Sequence, residues 1–302
     1  MKPAEVDPPM PSDFTASTPR RRRVVDALRN DGAPRLMGII NVTDDSFFEG
    51  SRTSGDDAVG RAIAMWDAGA TWVDVGGEST RPGATPIGTD EECRRVVPVI
   101  HALRKARPEG FISIDTRHPE VARKALEAGA DMVNDVSGLR NPLMRELVVE
   151  TGCAVCVMHM QGEPGTMQEN PTYDDCAKEV GDMLERVLED LVAQGHPEEL
   201  IVLDPGIGFG KTQQHNVALL REGKGLLKTA STSLLWGVSR KSIIGHLTGQ
   251  RRPEDRLPGT LALAAVAHQM GIDILRVHDV QEHMDVFNAL KPFTTHSNRR
   301  EE

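Results

Sequence analysis

The segment Phe111-Ile-Ser-Ile-Asp-Thr-Arg-His-Pro-Glu-Val-Ala-Arg-Lys-Ala-Leu-Glu-Ala-Gly-Ala-Asp-Met-Val-Asn-Asp135 carries the pattern that decides the fold. A short apolar run, Phe111–Ile114, stops at a carboxylate, Asp115. Pro119 then stands where a first helical position belongs, since its missing N–H costs a helix nothing there. Apolar residues from Val121 to Leu126 recur at helical spacing. Gly129 supplies the left-handed stop that commonly follows a helix. A second apolar run, Asp131–Val133, follows and again ends in polar groups, Asn134 and Asp135. Strand, helix and strand within 25 residues make a parallel βαβ unit.

The same rhythm extends in both directions. Apolar runs fall at Leu36–Ile40, Trp72–Val75, Ala154–Met158, Leu200–Leu203, Leu234–Val238 and Ile272–Val277. With the two above they make eight, separated by stretches such as Ala58–Trp66 that repeat at helical spacing. Thr89 with Glu92 has the form of a capping box, Pro142 of a first helical residue, and Gly69, Gly152, Gly195 and Gly271 of helix stops. Eight strand–helix units predict an α/β fold, a single (β/α)8 TIM barrel, over a doubly wound open sheet. The barrel is assigned to residues 34–292. Residues 1–33, with five prolines in the first 19 positions and the basic run Arg20–Arg23, are expected to form a flexible N-terminal extension, and residues 293–302 a polar tail.

Composition narrows the function. The formal net charge is -10, which disfavours general nucleic-acid binding and requires a local cationic cluster at any phosphate site. The longest apolar run, Leu261–Ala267, is far short of the ~20 residues a membrane span needs, and the N-terminus has no apolar signal core. A cytoplasmic enzyme is expected. Cys153 and Cys156 form a CxxC, but it runs into an apolar strand and no second pair completes a zinc site, so these are expected to be buried free thiols. The stretch Gly206–Thr212 ends in Gly-Lys-Thr, yet Pro205 occupies the position where a phosphate-binding P-loop needs glycine. It is expected to be a flexible βα loop beside the site.

Barrel enzymes place their chemistry at the carboxyl ends of the strands. There the sequence sets Asn41, Asp115, Asn134 with Asp135, His159, Asp204, Ser239-Arg240-Lys241, Arg276 and His278. Two chemistries separate. Asp115, Asn134 and Asp204 could accept and donate hydrogen bonds along the edge of a flat nitrogenous ring. Arg81, Lys241, Arg276 and His278 supply the cationic cluster. The substrate implied has a heterocycle at one end and phosphate at the other. The long loops Asn41–Gly55 and Glu78–Gly88 are expected to be lids or binding loops.

On these residues the chain resembles the dihydropteroate synthases, a family of pterin-binding enzymes. The carriers are MGIINVTDDSF at Met37–Phe47, DVGGESTRPGA at Asp74–Ala84, SIDT at Ser113–Thr116, NDVSG at Asn134–Gly138, MHMQG at Met158–Gly162, LDPGIGFGK at Leu203–Lys211, SRKS at Ser239–Ser242 and RVHDV at Arg276–Val280. The resemblance implies condensation of 6-hydroxymethyl-7,8-dihydropterin diphosphate with 4-aminobenzoate to 7,8-dihydropteroate and diphosphate, a transferase step of folate biosynthesis. It implies that Asp115, Asn134, Asp204 and Lys241 hold the pterin. Thr80, Arg81, Arg276 and His278 would meet the pterin diphosphate, with Mg2+ bridging it to Asn41. Phe47, Thr80, Pro82, Phe209 and Ser242 would touch the aminobenzoate. Asp115, Lys241, Arg276 and His278 are the candidate catalytic groups, and a homodimer through outer helices is implied. The first signature departs from the family at Asp44, where proline is usual, and at Phe48-Glu49, where Ser-Asp is usual.

Two other functions fit parts of the pattern. A pterin-dependent methyltransferase barrel would share the acidic ring-binding groups but have no use for Arg81 or the SRKS and RVH donors. A non-catalytic pterin-binding paralogue should have lost Arg81, Lys241, Arg276 or His278, all of which are present.

Overall fold

A computed structural model describes residues 18–42, 53–79, 86–163, 165–228, 231–250 and 252–293. Eight parallel strands close into a barrel in sequence order. They are β1 Arg35–Asn41, β2 Trp72–Gly76, β3 Phe111–Asp115, β4 Met132–Asp135, β5 Ala154–Met158, β6 Ile201–Asp204, β7 Ser233–Trp236 and β8 Ile274–Val277. Pairing of β1 with β8, Met37 opposite Arg276, completes the ring and rules out the open sheet.

The outer helices are α2 Thr53–Asp67, α3 Thr89–Ala106, α4 Pro119–Glu127, α5 Pro142–Thr151, α6 Cys176–Ala193, α7 Gln213–Glu222, α8 Ser242–Thr248, α9 Leu257–Gln269 and α10 Val280–Leu290. Their starts are chemically specified. Asn141 accepts from Leu143 N and Asp175 from Lys178 N, while Thr212 and His215 cap α7 reciprocally. Pro119 and Pro142 open α4 and α5 as expected. The Thr89–Glu92 capping box does not form. Gly88 is the N-cap of α3, and Glu92 turns inward, where its buried Oε2 pairs with His118 Nδ1 at 2.7 Å. A carboxylate three residues into a helix caps only if nothing inside competes for it, and here a histidine from the next βα loop does.

The expected extension over residues 1–33 is corrected for its second half. Pro19–Leu28 form a helix, α1, capped by Thr18. Val24, Ala27 and Leu28 bury completely against Met37, Trp72, Met132, Ala154, Val202, Leu235 and Ile274. Those are inward-facing strand residues, so α1 closes the amino-terminal floor of the barrel. Trp72 donates its indole N–H to Ala27 O at 2.9 Å. The Arg20–Arg23 run is not a solvated tail either. Arg20 binds buried Asp131, Arg21 binds Glu199, and Arg23 pairs with Glu109. Arg104 of α3 takes the other oxygen of Asp131 at 2.7 Å, and Ile112 N donates to it as well. The four cysteines are buried free thiols, as expected for the CxxC.

Candidate active site

Strand residues alternate between facing the helices and facing the barrel axis. At the carboxyl end the inward positions change from apolar to polar. Register places Asn41, Gly76, Asp115, Asn134 and Cys156 in one row across β1 to β5, with Ile39, Asp74, Ser113, Met132 and Ala154 in the row beneath.

These two rows meet β8 in a single network. Arg276 Nε donates to Asp74 Oδ2 at 2.6 Å, and its Nη2 to Asp115 Oδ2 at 2.6 Å. Asn134 Nδ2 donates to the same Asp74 oxygen at 3.0 Å. Burial pushes the Asp115 carboxyl up to about 7, opposed by Arg276 and reinforced by Asp74. Burial also works against the charge on Arg276, but Asp74 and Asp115 more than offset it, so the guanidinium is held charged. Asp74 Oδ1 and Ser113 Oγ, both buried, have no hydrogen-bond partner among the described residues.

Across the mouth, Asp204 ends β6 and accepts from Gly206 N at 2.7 Å. Burial raises its pKa, with Lys241 opposing. Lys241 reaches the same side. A Cβ built on Gly237 would stand 3.6 Å from Lys241 Nζ and 3.9 Å from Asp204 Oδ2, so both groups face the bare backbone beyond β7. Lys241 Nζ donates to Ile207 O at 2.6 Å and lies 4.4 Å from the centre of the Phe209 ring. Burial brings its pKa down to about 8, against the pull of Asp204.

His278 and Ser239 pair side chain to side chain at 3.0 Å, and His278 N donates back to the hydroxyl. Between Ser239 and Lys241, Arg240 adopts a left-handed backbone at φ 57° and bonds both oxygens of Asp279. That fork fixes the turn that aims Lys241 inward. Ser242 begins α8 on the exposed rim.

The Gly206–Thr212 loop is not loose, contrary to expectation. Gly206, Gly208 and Gly210 have positive φ, and Lys211 is buried, bonded to His159 and to Phe209 O. Thr212 serves as the N-cap of α7. A lysine turned inward to protein carbonyls cannot reach a phosphate, so the P-loop alternative fails on geometry too.

Of the expected site residues, Asp115, Asn134, Asp204, Lys241 and Arg276 come together, with Phe209 against Lys241. His278 lies on the β8 side, and Asn41 in the top row. Phe47, Thr80, Arg81 and Pro82 lie outside the described residues, as do Asp44, Phe48 and Glu49. The separation of an acidic ring set from a cationic phosphate set is corrected at Arg276, whose guanidinium is bonded to two acids. Asp74 was missed as a site residue. Its signal was a lone carboxylate inside an otherwise apolar, fully buried strand.

Residues 37–278 match the family model described as pterin binding enzyme. The chain is 45% identical over 259 residues to dihydropteroate synthase of Escherichia coli strain K12, covering 85% of this chain and 91% of that one. It is similar to the crystal structure of Xanthomonas albilineans dihydropteroate synthase with 4-aminobenzoic acid, with TM-score 0.80 and 40% identity over 87% of this chain and 94% of that one. The same enzyme in complex with 7,8-dihydropteroate superposes with TM-score 0.77 at 37% identity, covering 87% and 95%.

Proposed function

The chain belongs to the pterin-binding enzyme family, and from that premise we propose a division of labour among the residues at the barrel mouth. The enzyme is a transferase of folate biosynthesis. It condenses 6-hydroxymethyl-7,8-dihydropterin diphosphate with 4-aminobenzoate to give 7,8-dihydropteroate and diphosphate.

In our reading Asp115, Asn134, Asp204 and Lys241 hold the pterin ring. Carboxylates accept its ring N–H groups, and the ammonium and amide donate to its acceptors. The observation that supports this is that Arg276 joins Asp74 to Asp115, with Asn134 on the same Asp74 oxygen, opposite the Asp204–Lys241 pair. Thr80, Arg81, Arg276 and His278 receive the diphosphate. Asp74 is a positioning residue that holds Arg276 in place. Phe47, Thr80, Pro82, Phe209 and Ser242 contact the aminobenzoate nearer the rim.

The C–O bond to diphosphate breaks ahead of attack by the arylamine, because the electron-rich pterin stabilises positive charge on its exocyclic carbon. The cationic residues stabilise the departing anion, and ionised Asp115 offsets the pterin cation. The amine nitrogen then bonds to that carbon and loses a proton to water. Asn41 offers one amide oxygen at the end of β1, and no cluster of three His, Cys, Asp or Glu side chains stands among the described residues. Asn41 would hold Mg2+ through that oxygen, a hard donor of the kind the ion takes. When bound, the ion supplies charge neutralisation for the diphosphate. The barrel of residues 34–292, floored by α1, is the functional unit. A homodimer through the outer helices and a cytoplasmic location complete the proposal, and no described helix is long and apolar enough to cross a membrane.

Mixing both substrates with Mg2+ should release diphosphate and dihydropteroate one for one, and Lys241→Ala should suppress this with the fold intact. Tight pterin binding without diphosphate release would instead mark a non-catalytic paralogue. Crystals soaked with pterin diphosphate and Mg2+ alone should accumulate cleaved diphosphate. An intact ester after many turnover times would overturn the dissociative order.

A further inference from the structure

The loop that carries Phe209 is built around a buried lysine that the proposed chemistry does not use. Lys211 is 2% exposed. Its Nζ lies 3.0 Å from His159 Nδ1, 3.3 Å from His159 O and 3.0 Å from Phe209 O. Three acceptors match the three N–H bonds of an ammonium group, and they hold that form against burial, which brings the Lys211 pKa down to about 7. His159 is suited to accept, since burial and then Lys211 bring its pKa down to about 3 and keep the ring neutral.

The contacts join two chain segments. His159 follows β5, and Phe209 lies in the loop after β6. The glycines of that loop let the two backbones touch. A Cβ on Gly206 would fall 1.9 Å from His159 O, and one on Gly210 would fall 2.3 Å from Gln161 O. Among the described residues, Lys211 alone bonds Phe209 O. Tyr173 Oη and Gln168 Nε2 donate to Gly210 O and Gly208 O, and Asn216 Oδ1 accepts from Gly208 N. The loop in turn presents two groups to Lys241, namely the Ile207 carbonyl and the Phe209 ring.

We infer that Lys211 is a positioning residue for the reaction: by clamping the Phe209 carbonyl to His159, it sets where the Phe209 ring meets Lys241 and the aminobenzoate. This rests on the assignment of Phe209 to the aminobenzoate. The lysine touches neither substrate, so its removal should act through Phe209 and leave the Arg276 network alone.

The test is a double-mutant cycle of Lys211→Met and Phe209→Ala in the full chain, with steady-state kinetics for each substrate and thermal melts. Methionine keeps the unbranched bulk and removes the three donors. We expect Lys211→Met to raise KM for aminobenzoate on the order of tenfold, with KM for the pterin diphosphate changed less than threefold. Phe209→Ala should do the same, and the double variant should be no worse than the worse single variant. Additive effects, or a lowered melting temperature with unchanged KM, would overturn the inference. So would equal losses for both substrates. A Phe209→Ala enzyme with wild-type kinetics would remove the Phe209 assignment, and the inference with it. Should Lys211→Met fail to fold, Lys211→Arg replaces it. Its forked head cannot reproduce the three contacts, and it must show the same substrate-selective, non-additive change.

Discussion

The two ends of this barrel handle buried carboxylates in opposite ways. At the floor, Asp131 is fully buried and has both oxygens occupied. Arg20 binds one, and Arg104 and Ile112 N bind the other. At the mouth, Asp74 is equally buried, yet Oδ2 takes both of its bonds while Oδ1 takes none among the described residues. Asp115 sits so deep that its carboxyl is pushed up to about 7 despite Arg276. Leaving a buried polar atom unpaired costs ~1–3 kcal/mol. Of these two carboxylates, the one at the floor has both oxygens bonded by the protein, and the one at the mouth has all its bonds on a single oxygen among the described residues.

The sharpest way to break this comparison is to remove the central cation from each end. Arg276→Ala leaves Asp74 and Asp115 facing each other. Removal also forfeits a cation assigned to the departing diphosphate, so kcat/KM should fall on the order of a thousandfold. Steady-state assays with both substrates check this. Arg104→Ala at the floor should lower stability by about 3 kcal/mol, since Arg20 still holds Asp131, and leave kcat/KM within about twofold. Chemical denaturation and the same assays read both effects. An Arg104→Ala enzyme that is stable but inactive would erase the distinction between the ends.

A smaller effect sharpens the contrast through pH. The Asp115 carboxyl has its pKa raised from 3.8 to about 7 in the folded state. Between those values the folded chain keeps a proton that the unfolded chain has lost. Its contribution to stability is therefore greatest below 3.8 and declines as pH rises toward 7. Binding of the ring N–H groups needs the ionised form, so affinity for a pterin analogue should rise as pH passes through about 7. Asp115→Asn should flatten both trends. Calorimetric titration and thermal melts between pH 5 and pH 8 would show it. The least effect is expected at the floor, where Trp72→Phe deletes one hydrogen bond to Ala27 O. With the space left by the second ring of the indole, that should cost about 2 kcal/mol with no change in kcat or KM, and urea titration is sensitive enough to see it.

The two ends also differed in how openly the sequence declares them. Each strand was visible because it is a short apolar run that stops at a polar residue, and the stopping residues became Asp115, Asn134 and Asp204 at the mouth. Asp74 lies one pleat below that boundary, inside the run. A charge there looks like an interruption until register places it beside Ser113 and beneath Asp115. Arg276 looked like a free cation because its two acids come from strands 161 and 202 residues away. At the floor, α1 was hidden by its composition. Prolines and four consecutive arginines suggest an unpacked chain, although Val24, Ala27 and Leu28 already have the i, i+3, i+4 spacing of one helical face. Lys211 was visible only as the end of a glycine-rich motif, because what it binds, the carbonyl and ring of His159, follows the preceding strand.

The packed floor also governs traffic. Inward side chains fill the barrel axis, with α1 packed beneath them, so ligands enter and leave by the mouth alone. The groups assigned to the pterin lie below Phe209 and Ser242, so whatever binds deepest must arrive before the rim is occupied. The joined product must leave by the route its parts came in. An order of arrival, pterin diphosphate before aminobenzoate, is the outcome expected of that depth, and product-inhibition kinetics would check it.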